Sequence, residues 1–264
     1  MCPCRMNNQW IGIFLVMLTL ILLVLFYIFT TPIPQLNSYH HFADTRTLLR
    51  IPNFWNVTSN VFFIFVSILG FRSLNQQWNN KKIQGKEAVV YLIMFTGVFL
   101  IGVGSAYYHW SPTNERLVWD RIPMTIVFMS LLSLMIMKKI NFNWGFRLLI
   151  PLLLFGIYSV LYWHWTEELG RGDLRLYILV QFYTLFLLVF ILLWSPKSPP
   201  ETKAFTGLLV FYLLAKITEH YDLFIYQING QISGHTLKHL FAAVSVYFVI
   251  NILNSSSQGT SNNP

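Results

Sequence analysis

Charged residues are scarce in this sequence. Of its 264 residues, 11% are charged and 55% are hydrophobic, whereas about 25% of a soluble globular domain is charged. This shortage excludes an ordinary water-soluble enzyme. Cysteine is also scarce: Cys2 and Cys4 both lie at the start of the chain and cannot staple a fold. A disulfide scaffold and a four-thiolate metal site are therefore excluded.

Long apolar runs are present instead. A bilayer core about 30 Å thick needs about 20 mostly apolar residues per helix, and eight such runs occur. The run Trp10–Thr30 is too long for a signal peptide and no cleavage site follows it, so we predict a retained anchor helix. The other seven predicted spans are Phe54–Leu74, Ala88–His109, Trp119–Met137, Trp144–Trp163, Leu174–Trp194, Ala204–Glu219 and His235–Leu253.

These runs predict an all-α integral membrane protein. We expect a seven-transmembrane helix bundle with one extra N-terminal transmembrane anchor helix. Residues 1–33 would hold a cytoplasmic N-terminus and the anchor, residues 34–253 the seven-helix domain, and residues 254–264 a disordered polar tail.

The net charge of +8 has a sided distribution. The segments before the anchor and after the first, third and fifth bundle helices hold ten Lys and Arg residues and two acids, and the rest of the chain is balanced. Positively charged short loops stay in the cytoplasm, so we predict that both termini are cytoplasmic. The charge is thus a topology signal and gives no indication of nucleic-acid binding.

This topology places all seven histidines at the outer, non-cytoplasmic face, with eight of the ten acids. Ionisable groups beside membrane spans are costly and indicate function. His235 and His239 are spaced i, i+4, which puts two imidazoles on one helix face within reach of one cation. A catalytic zinc takes a third protein ligand; His109 is the natural candidate, while His164 and His220 remain alternatives. Lys238 should extend outward to the interface.

Two further residues complete a possible hydrolytic site. Ser105 lies one helical turn before His109 on the same face, and Asp120 lies at the same depth, where its carboxylate could take a proton from metal-bound water. Alternatively, Ser105 bonds to its own helix, and Asp120 caps a helix or pairs with Arg116 or Arg121. The small residues around Ser105 would also let a neighbouring helix approach.

The motifs resemble those of the alkaline ceramidase family, part of a superfamily of seven-helix membrane hydrolases that includes adiponectin-receptor-like proteins. The resemblance covers about residues 42–253, and the anchor helix is extra. It is carried by Ser105-x-x-x-His109, by Trp119-Asp120-Arg121-Ile122-Pro123-Met124, by Ser233-Gly234-His235-Thr236-Leu237-Lys238-His239 and by an opening Phe54-Trp55-Asn56-Val57-Thr58-Ser59-Asn60 segment.

The resemblance implies a zinc ion bound by His109, His235 and His239, with Ser105 and Asp120 as catalytic residues. It further implies hydrolysis of the N-acyl bond of a ceramide-like lipid by metal-activated water, giving a long-chain base and a fatty acid. The partners would be the lipid substrate and the bilayer; the oligomeric state is not indicated.

The segment before the first bundle helix departs from the family. Animal members carry an acid-rich calcium-binding segment there, with a Glu where this chain has Asn53. The only acid between Leu36 and Trp55 is Asp44, and calcium prefers several oxygen ligands, so we predict no calcium site. Weaker candidates for supporting the metal or binding substrate are Asp44, Arg46, Asn53, Glu219 and Asp222; we expect Glu219 to hold a ligand histidine.

Two other functions fit the same residues. The scissile bond could be an ester, which would give a zinc-dependent lipid esterase or phospholipase. The bundle could also be a non-enzymatic, lipid-binding receptor-like protein in which the metal is structural. A transporter would show internal repeats or interrupted helices at mid-membrane, and neither is evident in the sequence.

Overall fold

The computed structural model of the chain describes residues 17, 19, 21, 22, 24–194 and 199–256. Within these residues the regular structure is helical, with no strand beyond one isolated bridge between Leu48 and Ile51. A short 3-10 helix covers Asn37–His40, and a π-helix covers Leu179–Tyr183. The α-helices are α1 Phe54–Thr58, α2 Val61–Asn79, α3 Gly85–Trp110, α4 Asn114–Lys139, α5 Phe142–Glu168, α6 Arg175–Ile178, α7 Thr184–Trp194, α8 Pro199–His220, α9 Asp222–Asn229 and α10 Gly234–Ser256.

Six helices in the described part of the chain are long and apolar enough to cross a membrane. They are Phe54–Asn79, Gly85–Trp110, Asn114–Lys139, Phe142–Glu168, Arg175–Leu193 and Gly234–Ser255. Each coincides with one of the predicted spans to within a few residues at most of its ends, so the chain is a multi-pass membrane protein.

The remaining predicted elements are described only in part. The seventh predicted bundle span, Ala204–Glu219, lies within α8, which is not one of these six helices. Most of the predicted anchor lies outside the described residues, although residues 24–29 are helical. The last helix continues beyond the predicted end at Leu253 to Ser256, and residues 257–264 of the predicted tail lie outside the description.

The bundle is held together by contacts between neighbouring helices. Helix α4 packs along α3 and α5, α2 packs on α3 and α10, and α10 packs along α8. A large apolar core fills the interior between these helices, and a smaller cluster around Phe42, Tyr108 and Trp163 closes the end that carries the histidines. We call this end the histidine end.

Two glycines let backbones meet at the histidine end. A Cβ on Gly104 of α3 would overlap the carbonyl oxygen of Trp119 in α4, and one on Gly234 would overlap the carbonyl oxygen of Thr218 in α8. Pro123 lies inside α4 and lacks the N–H that would bond the Trp119 carbonyl in a regular helix. The close approach predicted for the small residues near Ser105 is thus confirmed at Gly104.

Candidate metal centre

Three histidine side chains converge at the histidine end. His109 is fully buried, and His235 and His239 are 5% and 2% exposed. Their ring centroids lie 4.8 to 5.0 Å apart, and one nitrogen from each ring falls within 4.8 Å of the other two. Within the described residues this is the cluster that could hold a metal ion.

Two helix ends present these rings. His109 lies in the last turn of α3, while His235 and His239 lie in the first two turns of α10. The Asp222 carboxylate accepts the His235 backbone N–H at 2.7 Å and the Ala43 N–H at 2.9 Å. Asn53 donates its side-chain amide to the His109 carbonyl oxygen at 2.8 Å. Side chains of Asn53 and Asp222 therefore fix both helix ends.

The donor atoms fit a metal such as zinc. Tetrahedral ligands about 2.05 Å from zinc lie roughly 3.3 Å apart, and the Nε2 atoms of His109 and His235 are separated by 3.2 Å. The Nδ1 atom of His239 contacts the Ser59 hydroxyl at 2.7 Å, and its Nε2 atom is buried without a hydrogen-bond partner. Buried polar atoms are rarely left unpaired, so this Nε2 lone pair is available to a cation.

Ser105 and Asp120 form a second pair beside the histidines. Both are buried, and they come from the point where the backbones of α3 and α4 meet, at Gly104 and Trp119. Asp120 does not cap α4, because that helix begins at Asn114 and Thr113 is its cap. It also has no arginine within ion-pair distance in the described part of the chain. Neither alternative role of Asp120, as a helix cap or as an ion-pair partner of Arg116 or Arg121, is therefore seen in the described residues.

The alternative third ligands lie elsewhere. His164 contacts the carboxylate of Glu168 at 3.3 Å, one turn along α5, and the ring of His220 packs edge-on against Tyr221. Neither belongs to the buried cluster.

Two expectations about charged residues near the cluster are wrong. Glu219 bonds the ammonium groups of Lys216 and Lys238 rather than a ligand histidine. Lys238 turns inward instead of extending to the interface, because this carboxylate supplies a buried partner for its charge.

The loop before α1 covers the cluster. The ring of Phe42 lies 4.7 Å from that of His109 and 4.6 Å from that of His235. Behind it, the buried Asp44 carboxylate accepts two hydrogen bonds from the Arg46 guanidinium, at 2.8 and 2.7 Å. The hydrogen bond to Asp44 raises the pKa of Arg46 above its ordinary value. The Asp44 carboxylate is thus committed to an ion pair that anchors the loop.

A cavity of about 300 Å³ runs from this cluster into the bundle. Its walls are mainly apolar and include Phe63, Met94 and Phe128, while His239 and Asp120 lie on its surface. Its volume is at the lower end of the range for small-molecule sites. A long apolar ligand could therefore lie in the bundle with a polar group at the histidines.

The fold and the cluster together define a class: a multi-pass membrane protein with a buried three-histidine centre at one end of an apolar cavity. The Ceramidase family model matches residues 46–263, which is most of the chain, so the chain belongs to the Ceramidase family. Comparison with individual curated proteins gives no match. The predicted membership of the alkaline ceramidase family is thereby confirmed.

Two residues of the site were not predicted. Ser59, which contacts His239, lies in the opening segment that carries the family resemblance, but nothing in the sequence pairs that serine with a histidine. From the sequence, Arg121 is a possible partner of Asp120 and part of a family motif; the structure places it on the cavity wall. Arg121 is an ionisable side chain inside a predicted membrane span, and such a residue could have been identified as functional from the sequence.

Proposed function

We propose that this protein is a zinc-dependent intramembrane amidohydrolase that cleaves the N-acyl bond of ceramide-like lipids. The products would be a long-chain base and a fatty acid. The observation that carries the proposal is the cluster of three buried histidines, one of which lines an apolar cavity together with Asp120. Membership of the Ceramidase family supports the substrate class.

His109, His235 and His239 would hold the ion. Zinc bound there would supply a Lewis acid and lower the pKa of water toward about 7. Ser59 would keep Nδ1 of His239 protonated by accepting its hydrogen, which leaves Nε2 as the ligand atom. Asp222 would hold the start of α10 so that both of its histidines face His109.

The remaining polar groups would act on the substrate. Asp120 would accept a proton from the attacking water and return it to the leaving amine nitrogen. The Ser105 hydroxyl, one helical turn from His109, would orient the Asp120 carboxylate and donate to the developing oxyanion. The cavity would hold the aliphatic chains, so that the lipid need not leave the bilayer.

The proposed architecture has seven bundle helices in residues 34–253 and an anchor in residues 1–33, followed by a polar tail in residues 254–264. Helix α8 would be the sixth bundle span. Both termini would be cytoplasmic, and the three-histidine centre would face the opposite compartment.

The test uses purified protein in detergent, assayed with ceramides, acyl-ethanolamides and phospholipids before and after chelation. We expect amide hydrolysis that chelator abolishes and zinc restores, with about one zinc per chain. His239→Ala should lose both zinc and activity. His164→Ala is the matched control, because this histidine lies at the same end of the bundle outside the cluster, and it should keep both.

Three outcomes would contradict the proposal. If His239→Ala retained zinc at the wild-type level, His239 would not be a zinc ligand. Ester cleavage without amide cleavage would make the protein a lipid esterase. Bound zinc without any hydrolysis would favour a receptor-like protein with a structural metal.

A further inference from the structure

Helix α9 connects α8 to α10 at the histidine end, and none of its residues is buried. Asp222 and Tyr226 on its inner side are half-buried against the protein. Its opposite side is exposed and mostly apolar, because it carries Leu223 at 58% exposure, Phe224 at 60%, Ile228 at 71% and the polar Gln227. An exposed apolar face at the end of a membrane bundle indicates an interaction surface.

This face continues the exposed apolar surface of α8. Exposed apolar or aromatic side chains recur every three or four residues from α8 through the junction into α9, which is the spacing of one helical face. They are Val210, Leu213, Ile217, Tyr221, Phe224 and Ile228. Backbone hydrogen bonds of 3.0 Å, from Tyr221 N–H to the Ile217 carbonyl and from Ile225 N–H to the Tyr221 carbonyl, carry the helix through the junction. The face of α9 is therefore continuous with the side of α8 that would contact lipid.

Helices α8 and α9 together are longer than a bilayer core. Helix α8 has 22 residues and α9 has eight, with Tyr221 between them. At 1.5 Å per residue this is about 46 Å of helix, against a hydrocarbon core of about 30 Å. Helix α8 begins at the end opposite the histidines, where Glu201 bonds Lys139. The excess length therefore emerges at the histidine end, and α9 is the part that reaches the level of the lipid head groups.

Helix α9 is also joined to the metal centre. One oxygen of the Asp222 carboxylate accepts the His235 backbone N–H at 2.7 Å, and the other accepts the Ala43 N–H at 2.9 Å. Ala43 and Arg46 belong to the loop that covers the histidines, and the Arg46 guanidinium lies 5.4 Å from the centroid of the Tyr226 ring. A shift of α9 would therefore move both a metal ligand and the covering loop.

We propose that α9 is an interfacial helix. Its Leu223, Phe224 and Ile228 side chains enter the head-group boundary of the leaflet on the histidine side, and this contact holds the α10 end of the metal centre in place. Amphipathic helices lie in the plane of the interface with their apolar face buried in lipid, so the partner is a lipid surface. The inference rests on the proposed place of α8 in the bilayer and on zinc at the histidines, but on no step of lipid hydrolysis.

The test measures the depth of α9 in the bilayer. Cys2 and Cys4, the two native cysteines, are changed to serine, and Leu223→Cys carries an environment-sensitive fluorophore in full-length protein in phosphatidylcholine vesicles. We expect lipids with a nitroxide near the head group to quench it at least twofold more than lipids with a nitroxide near the chain end. Leu213→Cys, on the exposed side of α8, should show the reverse order. Gln84→Cys, at an exposed position before α3, should be quenched only by aqueous iodide present on both sides of the membrane.

A double variant tests what the lipid contact does. Phe224→Ser with Ile228→Ser should at least halve the quenching of the Leu223→Cys reporter by the shallow lipid, because α9 loses most of its apolar face. Zinc should also be lost to a chelator at least 3-fold faster, since Asp222 moves with the helix. Gln227→Ser is the matched control on the same face and should change neither quantity. Far-ultraviolet circular dichroism verifies that each variant is folded.

Quenching of the α9 reporter by iodide rather than by lipid would overturn the inference, as would stronger quenching by the deep lipid. Shielding from both quenchers that weakens as the protein is diluted into lipid would also overturn it, because a second copy would then cover the face. Loss of the lipid contact without faster zinc loss would overturn the link to the metal centre. If the protein held no zinc but the reporter gave the expected depth, the amidohydrolase proposal would fail and the interfacial helix would stand.

Discussion

At the scale of single residues, the protonation of one ring nitrogen decides which atom of a histidine can bind metal. The hydrogen bond between Ser59 and Nδ1 of His239 fixes that ring from the far side of the cluster. Ser59 and His239 are 180 residues apart in the chain, so no spacing rule could pair them. The i, i+4 spacing of His235 and His239 was readable because both lie on one helix.

Ser59→Ala should weaken zinc binding by about 10- to 100-fold, the usual effect of losing a partner behind a metal ligand. Zinc affinity is measured by competition with a chelator of known strength. Ser67→Ala is the control, because Ser67 is also buried and its hydroxyl donates to the Ile64 carbonyl of its own helix α2. Equal affinities in the two variants would show that the Ser59 contact does not support the metal.

Asp120→Asn should reduce kcat by about 10² to 10⁴-fold, the range expected for loss of a general base. The amide keeps the shape of the carboxylate and can still accept from Ser105, so zinc content should not change. Steady-state kinetics and metal analysis on the same preparation check both statements. Glu115→Gln is the control, because Glu115 is an exposed acid in the first turn of α4, and it should retain full activity. A similar loss of kcat in this variant would indicate a general effect of substitutions on the helix.

At the scale of helices, the apolar pattern predicted the middle of each span and several of its ends, but not the ends where polar residues continue the helix. The span predicted as Trp119–Met137 is part of a helix that begins at Asn114, because polar residues continue the helix beyond the apolar run. The π-helix Leu179–Tyr183 could not be predicted, since its residues are as apolar as their neighbours. It places Gln181 on the cavity wall, where Gln181 donates to the Tyr212 hydroxyl at 2.7 Å.

Helix contacts also explain the inward direction of Lys238. A lysine near a helix end normally extends to the interface, and that rule assumes that no buried partner is near. Glu219 comes from α8, and only the packing of α8 along α10 brings the two side chains together. The sequence contains both residues but does not show that their side chains are in contact.

Gly104→Ala should destabilise the protein by about 1 to 3 kcal/mol, the usual cost of overpacking. The new methyl group would meet the Trp119 backbone, which cannot rotate away, so α4 would have to shift and carry Asp120 from Ser105. The thermal unfolding temperature should therefore fall together with kcat. Gly85→Ala is the control on the same helix, because its nearest contact is 3.8 Å from the Trp78 ring. Loss of stability with unchanged kcat would mean that this contact does not position Asp120.

At the scale of the whole molecule, the surface fits a bilayer. Exposed tryptophans lie at both ends of the bundle: Trp55, Trp110 and Trp165 at the histidine end, and Trp78 and Trp144 at the opposite end. Tryptophan is enriched at both membrane interfaces. At the end opposite the histidines, Lys138 pairs with Glu87 at 2.6 Å and Lys139 with Glu201 at 2.7 Å. Glu87 and Glu201 are the two acids of the predicted cytoplasmic side. They are outnumbered by the Lys and Arg residues there, so that side keeps an excess of positive charge.

That excess predicts a labelling pattern. Cys2 and Cys4 are the only cysteines and should be on the cytoplasmic side. After both are changed to serine, a single cysteine at exposed Gln84 should react with a membrane-impermeant maleimide only in inside-out vesicles. One at exposed Gln231, beside the histidine end, should react only in right-side-out vesicles. The reverse pattern would place the metal centre in the cytoplasmic half, and labelling of both sites from one side would exclude an odd number of spans between residues 84 and 231.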